Sequence, residues 1–245
     1  VQFSEAMHSF GANAPALSFG TTDGPPPMND LLAALLLGII EGITEFLPIS
    51  STGHLLIAER WLGHRSDLFN IAIQAGAILA VVAIYRQRLW NLLVGFRERE
   101  NFDYAFKLAV AFGVTAIGGL AVKALVWELP ETVTPIAWAL ILGGVWMLLA
   151  EHYAAKRAAT LGERTAISWT VAILVGVAQV VAGVFPGTSR SGATIFVALL
   201  AGTTSRVAAT EFAFLVGIPT MFAATAYELL GVFKDGNVAH EDWTA

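Results

Sequence analysis

The chain contains no cysteine, which excludes disulfide frameworks, structural zinc–thiolate sites and a cysteine nucleophile. Charge is scarce as well: 13% of residues are Asp, Glu, Lys or Arg, against about 25% in soluble domains. Positions 1–27 hold no Lys or Arg, so they lack the basic n-region of a signal peptide, and they lack its apolar h-region too. The formal net charge of −5 makes no case for nucleic acid. What fills the chain is hydrocarbon, with 56% hydrophobic residues and a mean hydropathy of +0.66. Its apolar runs approach the roughly 20 residues that cross a bilayer core. This is the composition of an all-α, polytopic integral membrane protein.

Residues 1–27, ending in Gly24-Pro25-Pro26-Pro27, read as a loose leader, and Met28 fits a natural start. Residues 28–231 read as a single membrane domain, and 232–245 as a polar tail. Within the domain, helices are expected at Leu31–Leu47, Ser51–Leu62, Phe69–Tyr85, Tyr104–Val126, Pro135–Ala150, Ser168–Phe185, Ser189–Gly202 and Ala208–Leu230. The first two are too short to span comfortably, and the break at Pro48 suggests a re-entrant hairpin. The pair Ser168–Phe185 and Ser189–Gly202 suggests a second. The connection 86–107 carries Arg86, Arg88, Arg97, Arg99 and Lys107, and 151–167 carries Lys156, Arg157 and Arg164. The connection 127–134 has Glu128 and Glu131 and no base. By the positive-inside rule the first two face the cytoplasm and the third faces out, although Arg60 and Arg65 run against this scheme. The two hairpins then enter from opposite faces.

The densest chemistry lies in Gly38–His54, GIIEGITEFLPISSTGH. Glu41 and Glu45 are four apart, hence on one helix face. Each carboxylate costs roughly 2.5–3.5 kcal/mol at the centre of a membrane helix, so it needs a partner or a use. Shifted by 138 residues, Gly176–Gly192 reads GVAQVVAGVFPGTSRSG. Gly38 falls on Gly176, Glu41 on Gln179, Pro48 on Pro186 and Ser51 on Ser189. That register, with the opposed hairpins, predicts inverted-topology repeats: repeat one over about 28–150 and repeat two over about 168–231. Three spans follow the first hairpin and one the second, so two closing helices are missing by this count.

The hydroxyl-rich helix starts at Ser50-Ser51-Thr52 and at Thr188-Ser189-Arg190-Ser191 offer free N–H groups and positive helix ends to an anion. Arg190 stands alone as a base deep in a predicted membrane segment, and it can bind phosphate oxygens through two N–H groups. The plainer reading makes it a structural counter-ion for Glu41 or Glu45. Ser51 and His54, three apart on a helix, form a possible nucleophile–base pair. Glu41 and Glu45 could hold a divalent cation against phosphate oxygens, or one could act as a base. Glu211 reads as a capping or pairing group. Gln74, Lys123 and Glu228 read as packing or snorkelling residues near span ends.

At Glu41–His54, EGITEFLPISSTGH, and Pro186–Thr194, PGTSRSGAT, the chain resembles the undecaprenyl-diphosphate phosphatase family of the bacitracin-resistance type. Glu211-Phe212 with Pro219 also looks like the family's following segment, and the likeness covers roughly 28–231. The resemblance implies hydrolysis of undecaprenyl diphosphate to the monophosphate and phosphate at the outer, periplasmic side of the bacterial inner membrane. This recycles the lipid carrier of cell-wall synthesis. It implies an acidic motif at Glu41 and Glu45 and a proposed nucleophile and base at Ser51 and His54. It further implies phosphate binding by Arg190, Ser189 and Thr194, alongside the hydroxyl helix starts Ser50, Thr52 and Ser191, and a need for Mg²⁺ or Ca²⁺. The partners it implies are the lipid substrate and the surrounding membrane lipids; a monomer and an oligomer both fit. A transporter or flippase of a phosphorylated lipid or small anion remains the alternative, since inverted repeats with broken helices also build transporters.

Overall fold

Serines punctuate the chain, accepting a hydrogen bond from the backbone N–H three residues on and so starting a helix. Ser50 does this for Gly53 at 3.4 Å, Ser66 for Phe69 at 3.2 Å, Ser168 for Val171 at 3.2 Å and Ser189 for Gly192 at 3.1 Å. The computed structural model describes residues 30–125, 133–185 and 187–234, and all regular structure among them is helical. In chain order the helices are α1 (Asp30–Thr44), α2 (Ser51–Leu62), α3 (Asp67–Ile84), α4 (Arg86–Val94), α5 (Arg99–Ala124), α6 (Val133–Leu161), α7 (Trp169–Val184), α8 (Arg190–Ala201) and α9 (Arg206–Lys234). The predicted leader, most of the 127–134 connection, Pro186 and most of the polar tail lie outside the described residues, as does the side chain of Glu228.

Three stretches are long and apolar enough to cross a membrane, at Arg99–Ala124, Ile136–Leu161 and Arg206–Gly231. The bent pair α3–α4 makes a fourth if it counts as one span. Helices α1, α2, α7 and α8 are shorter. The longest of them has 16 residues, about 24 Å at 1.5 Å per residue, below a hydrocarbon core of ~30 Å.

The first helix ends at Thr44, short of the expected Leu47, and the last runs on to Lys234 past the expected Leu230; two further boundaries differ more. The 86–107 stretch, expected as a connection, holds α4 and the start of α5, and α4 is bent 63° from α3. Arg86, Arg88 and Asn91 interleave with Leu89 and the buried Leu92, a pattern that suits the membrane interface better than its interior. The span expected to stop at Ala150 runs on to Leu161. Its extension is rich in Ala, Lys and Arg, which favour helix. Gly162, at φ 70°, then supplies the left-handed residue that ends it.

Helix α7 is the hub. Val171, Ala172 and Val175 are fully buried, clustered with Ala111 of α5, Ala198 of α8, and Ala209, Phe212 and Val216 of α9. Small residues let these helices approach, which is how membrane helices gain packing energy where lipid removes the hydrophobic drive. A Cβ on Gly176 would lie 2.6 Å from the Ala111 carbonyl oxygen. Thr115 Oγ1 stitches the same contact, 2.9 Å from Ala111 O and 3.2 Å from Gly176 O. Outward apolar side chains such as Ile117, Leu142 and Leu148 are more than half exposed, as lipid-facing residues are.

Candidate active site

The two helix breaks meet. Ser191, in the first turn of α8, donates from Oγ to the carbonyl of Leu47 at 3.0 Å. A Cβ on Gly192 would fall 3.2 Å from Cβ of Pro48. The two serine-capped starts, of α2 and α8, therefore flank one polar pocket of about 160 Å³. Glu45, Ser50, Ser51 and Thr52 line it from one side, and Thr188, Ser189, Arg190 and Ser191 from the other. Gln74 of α3 and Met221 and Thr225 of α9 complete the wall.

At the centre stands Glu45, just past the end of α1. One carboxylate oxygen, Oε1, pairs with Arg190 Nη2. The other, Oε2, accepts from Ser51 Oγ at 2.7 Å. Arg190 Nη2 also lies 2.6 Å from the sulfur of Met221. Its guanidinium therefore reaches α9 as well as the first break.

Backbone geometry fixes these groups. Ser50 sits at φ 65°, the one described non-glycine residue with positive φ, a conformation that costs roughly 1–3 kcal/mol and persists only where its surroundings hold it. Its hydroxyl caps α2, and its carbonyl meets His54 Nδ1 at 2.8 Å. A carbonyl can only accept, so Nδ1 carries the proton and a neutral ring keeps its lone pair on Nε2. On the other side Gly187 is at φ 93°, and a Cβ there would be 2.9 Å from the Ile136 carbonyl oxygen. Only glycine fits that approach to α8.

The residues picked from sequence divide accordingly. Glu45, Ser50, Ser51, Thr52, Ser189, Arg190 and Ser191 come together around the pocket. His54 does not pair with Ser51 as its spacing suggested. The hydroxyl turns to Glu45 and the imidazole to the backbone of Ser50, because the positive-φ turn aims that carbonyl at the ring. Thr194 is buried and spends its hydroxyl on the carbonyls of Arg190 (2.8 Å) and Ser191 (3.2 Å), bracing the first turn of α8; it lines not the polar pocket but a smaller adjoining cavity that shares Glu45, Arg190, Ser191 and Met221. Glu41 lies one helical turn before Glu45 and is fully buried, and neither carboxylate oxygen has a hydrogen-bond partner among the described residues. Glu211 is a pairing group. It accepts from Arg88 Nε at 2.9 Å and from Tyr104 Oη at 3.1 Å, with the Arg88 guanidinium 4.6 Å from the Tyr104 ring centre. That cluster ties α4, α5 and α9 together, away from the pocket. Gln74, whose place in its span suits packing, instead lines the site. The available signal was its isolation, as the one polar side chain between Asn70 and Tyr85.

These features define a helical, multi-pass membrane protein whose core holds a polar pocket lined by an Arg–Glu pair and hydroxyl groups. Residues 34–245 match the family described as Bacitracin resistance protein BacA, and the chain belongs to that family. It is 71% identical over 216 residues to an undecaprenyl-diphosphatase of Rhizobium etli (strain CIAT 652), covering 88% of this chain and 80% of the relative. It is 64% identical over 217 residues to an undecaprenyl-diphosphatase of Xanthomonas euvesicatoria pv. vesicatoria (strain 85-10), covering 89% and 80%.

Proposed function

We infer that this protein hydrolyses undecaprenyl diphosphate to undecaprenyl phosphate and inorganic phosphate, returning the lipid carrier to cell-wall synthesis and conferring bacitracin resistance. The observation that carries the mechanism is the chain of contacts Arg190–Glu45–Ser51 where the two helix starts meet. In this reading the terminal phosphate enters the pocket and takes Arg190 as its counter-ion, aided by the N–H groups at the starts of α2 and α8. Losing Arg190 leaves Glu45 hydrogen-bonded to Ser51. Glu45 then accepts the Ser51 proton as Oγ attacks the terminal phosphorus, and undecaprenyl phosphate departs as the leaving group. Water hydrolyses the phosphoserine, with Glu45 returning the proton. A water held in place of Ser51 Oγ would give the same products in one step. Either way, fixed positive groups aimed at the phosphoryl oxygens supply most of the rate. His54 acts by holding the Ser50 turn, not by deprotonating Ser51.

A divalent cation, Mg²⁺ or Ca²⁺, fits the donors present. The unpartnered buried oxygens of Glu41 beside Glu45 offer two carboxylates, and Mg²⁺ sites commonly add only one or two carboxylates to substrate phosphate oxygens. No cluster of three or more His, Asp or Glu occurs among the described residues, so the substrate would complete the coordination. When bound, the cation would neutralise phosphate charge.

The same reading takes 28–231 as one inner-membrane domain built on inverted repeats. Its support is the common plan of α1–α2 and α7–α8: a helix, a break, a serine cap and a helix of 12 residues. The two units then act as hairpins re-entering from opposite faces, with the pocket open to the periplasm. The decisive experiment is phosphate release from undecaprenyl diphosphate by the purified protein in detergent. Turnover by the unsubstituted protein and its loss in S51A is the expected result. Turnover by neither, together with saturable movement of a phosphorylated lipid across vesicles, would favour the carrier reading.

A further inference from the structure

A second cavity opens beside the polar pocket, between α6, α7 and α8, and holds about 690 Å³. Its walls are apolar along most of their length, with Trp138, Leu142 and Trp146 on α6 facing Leu174, Val177 and Val181 on α7. At one end this changes, because Thr188 and Ser189 line it, and the same two residues line the phosphate pocket. A greasy groove and an anion site thus share a polar doorway at the start of α8. The diphosphatase reading requires a substrate with that division, a charged head joined to a long hydrocarbon chain.

On that reading, we propose that the α6–α7–α8 groove seats the first isoprene units of the substrate's prenyl chain and sets which lipid diphosphates turn over fast. The groove follows α7 from Leu174 to Phe185, about 16 Å of helix. Its occupant arrives from the bilayer, where hydrocarbon surrounds it already, so the groove gains little from the hydrophobic effect. What it gives is registration. A chain lying along α7 delivers its diphosphate past Thr188 and Ser189 to Arg190 and Ser51, and loss of that alignment lowers turnover even where the head group still binds.

Gly143 tests this. It lines the groove, and a Cβ there meets nothing within 4 Å, so G143L puts a branched side chain into the groove from an open Cβ position. Gly144 is the control, because its Cβ site is equally open and it does not line the groove. Both changes favour helix to the same degree. The measurement is kcat/KM for phosphate release from undecaprenyl diphosphate and from dimethylallyl diphosphate, whose single isoprene unit can occupy little of the groove. G143L is expected to lower the ratio of the first to the second by about tenfold, as pocket-filling changes commonly do, and G144L to leave it unchanged. An unchanged ratio in G143L overturns the proposal, as does an equal fall on both substrates, which would mean distortion of the phosphate site. If the unsubstituted protein releases phosphate from neither substrate, the diphosphatase reading fails and the groove assignment falls with it.

Discussion

Glu45 is the residue on which the site turns, because it touches both the cation and the hydroxyl. Replacing it with Gln keeps its shape but removes the negative charge that holds Arg190 and accepts the proton. E45Q and S51A should each lower phosphate release by about 10²-fold or more, the usual worth of a base or an activated nucleophile. H54A should cost less than E45Q, since among the described residues the imidazole hydrogen-bonds the Ser50 carbonyl and not Ser51. A loss in H54A equal to that in E45Q would restore His54 as the base. R190K keeps the charge but loses the planar fork, and should still fall by about 10²-fold in kcat/KM. Chelation with EDTA should stop turnover and added Mg²⁺ should restore it. E41Q should raise the Mg²⁺ concentration needed for half-maximal rate, because Glu41 has no other described hydrogen-bond partner.

At the scale of elements, the site depends on how two short helices begin. Helix α8 can start where it does only because Gly187 passes close under α6 at positive φ. G187A combines a clash with a disfavoured backbone, and about 1–3 kcal/mol of strain is expected. A lower melting temperature in detergent, with phosphate release reduced in parallel, is the measurement. The sequence announced these starts through Pro48, Pro186 and the hydroxyl runs, and Ser51–Leu62 matches its expected bounds. It did not announce the 63° bend before α4, because basic and apolar residues in 86–94 are equally compatible with a loop. Nor could three-residue spacing reveal that Ser51 and His54 turn to different partners. That choice belongs to the strained Ser50 turn, which no residue type at position 50 signals.

For the whole molecule, the testable consequence is orientation in the membrane. The absence of cysteine makes single-cysteine labelling clean. In the proposed topology, R60C should react with a membrane-impermeant thiol reagent in intact cells and R97C only after permeabilisation; both positions are exposed. The reverse pattern would invert the topology and place the pocket on the cytoplasmic side. Composition alone was enough to determine a helical membrane protein, because scarce charge and long apolar runs leave the chain no stable fold in water. Local pattern alone was enough to mark the acidic pair, the hydroxyl helix starts and the single deep arginine, because each is costly in hydrocarbon without a use. Only the tertiary structure decided that Arg190 chooses Glu45, that Ser51 bonds to the same carboxylate, and that Gln74, Met221 and Thr225 close the pocket. The Arg190–Glu45 contact joins residues 145 apart in the chain, and the packing of helices, not the spacing of letters, brings them within reach.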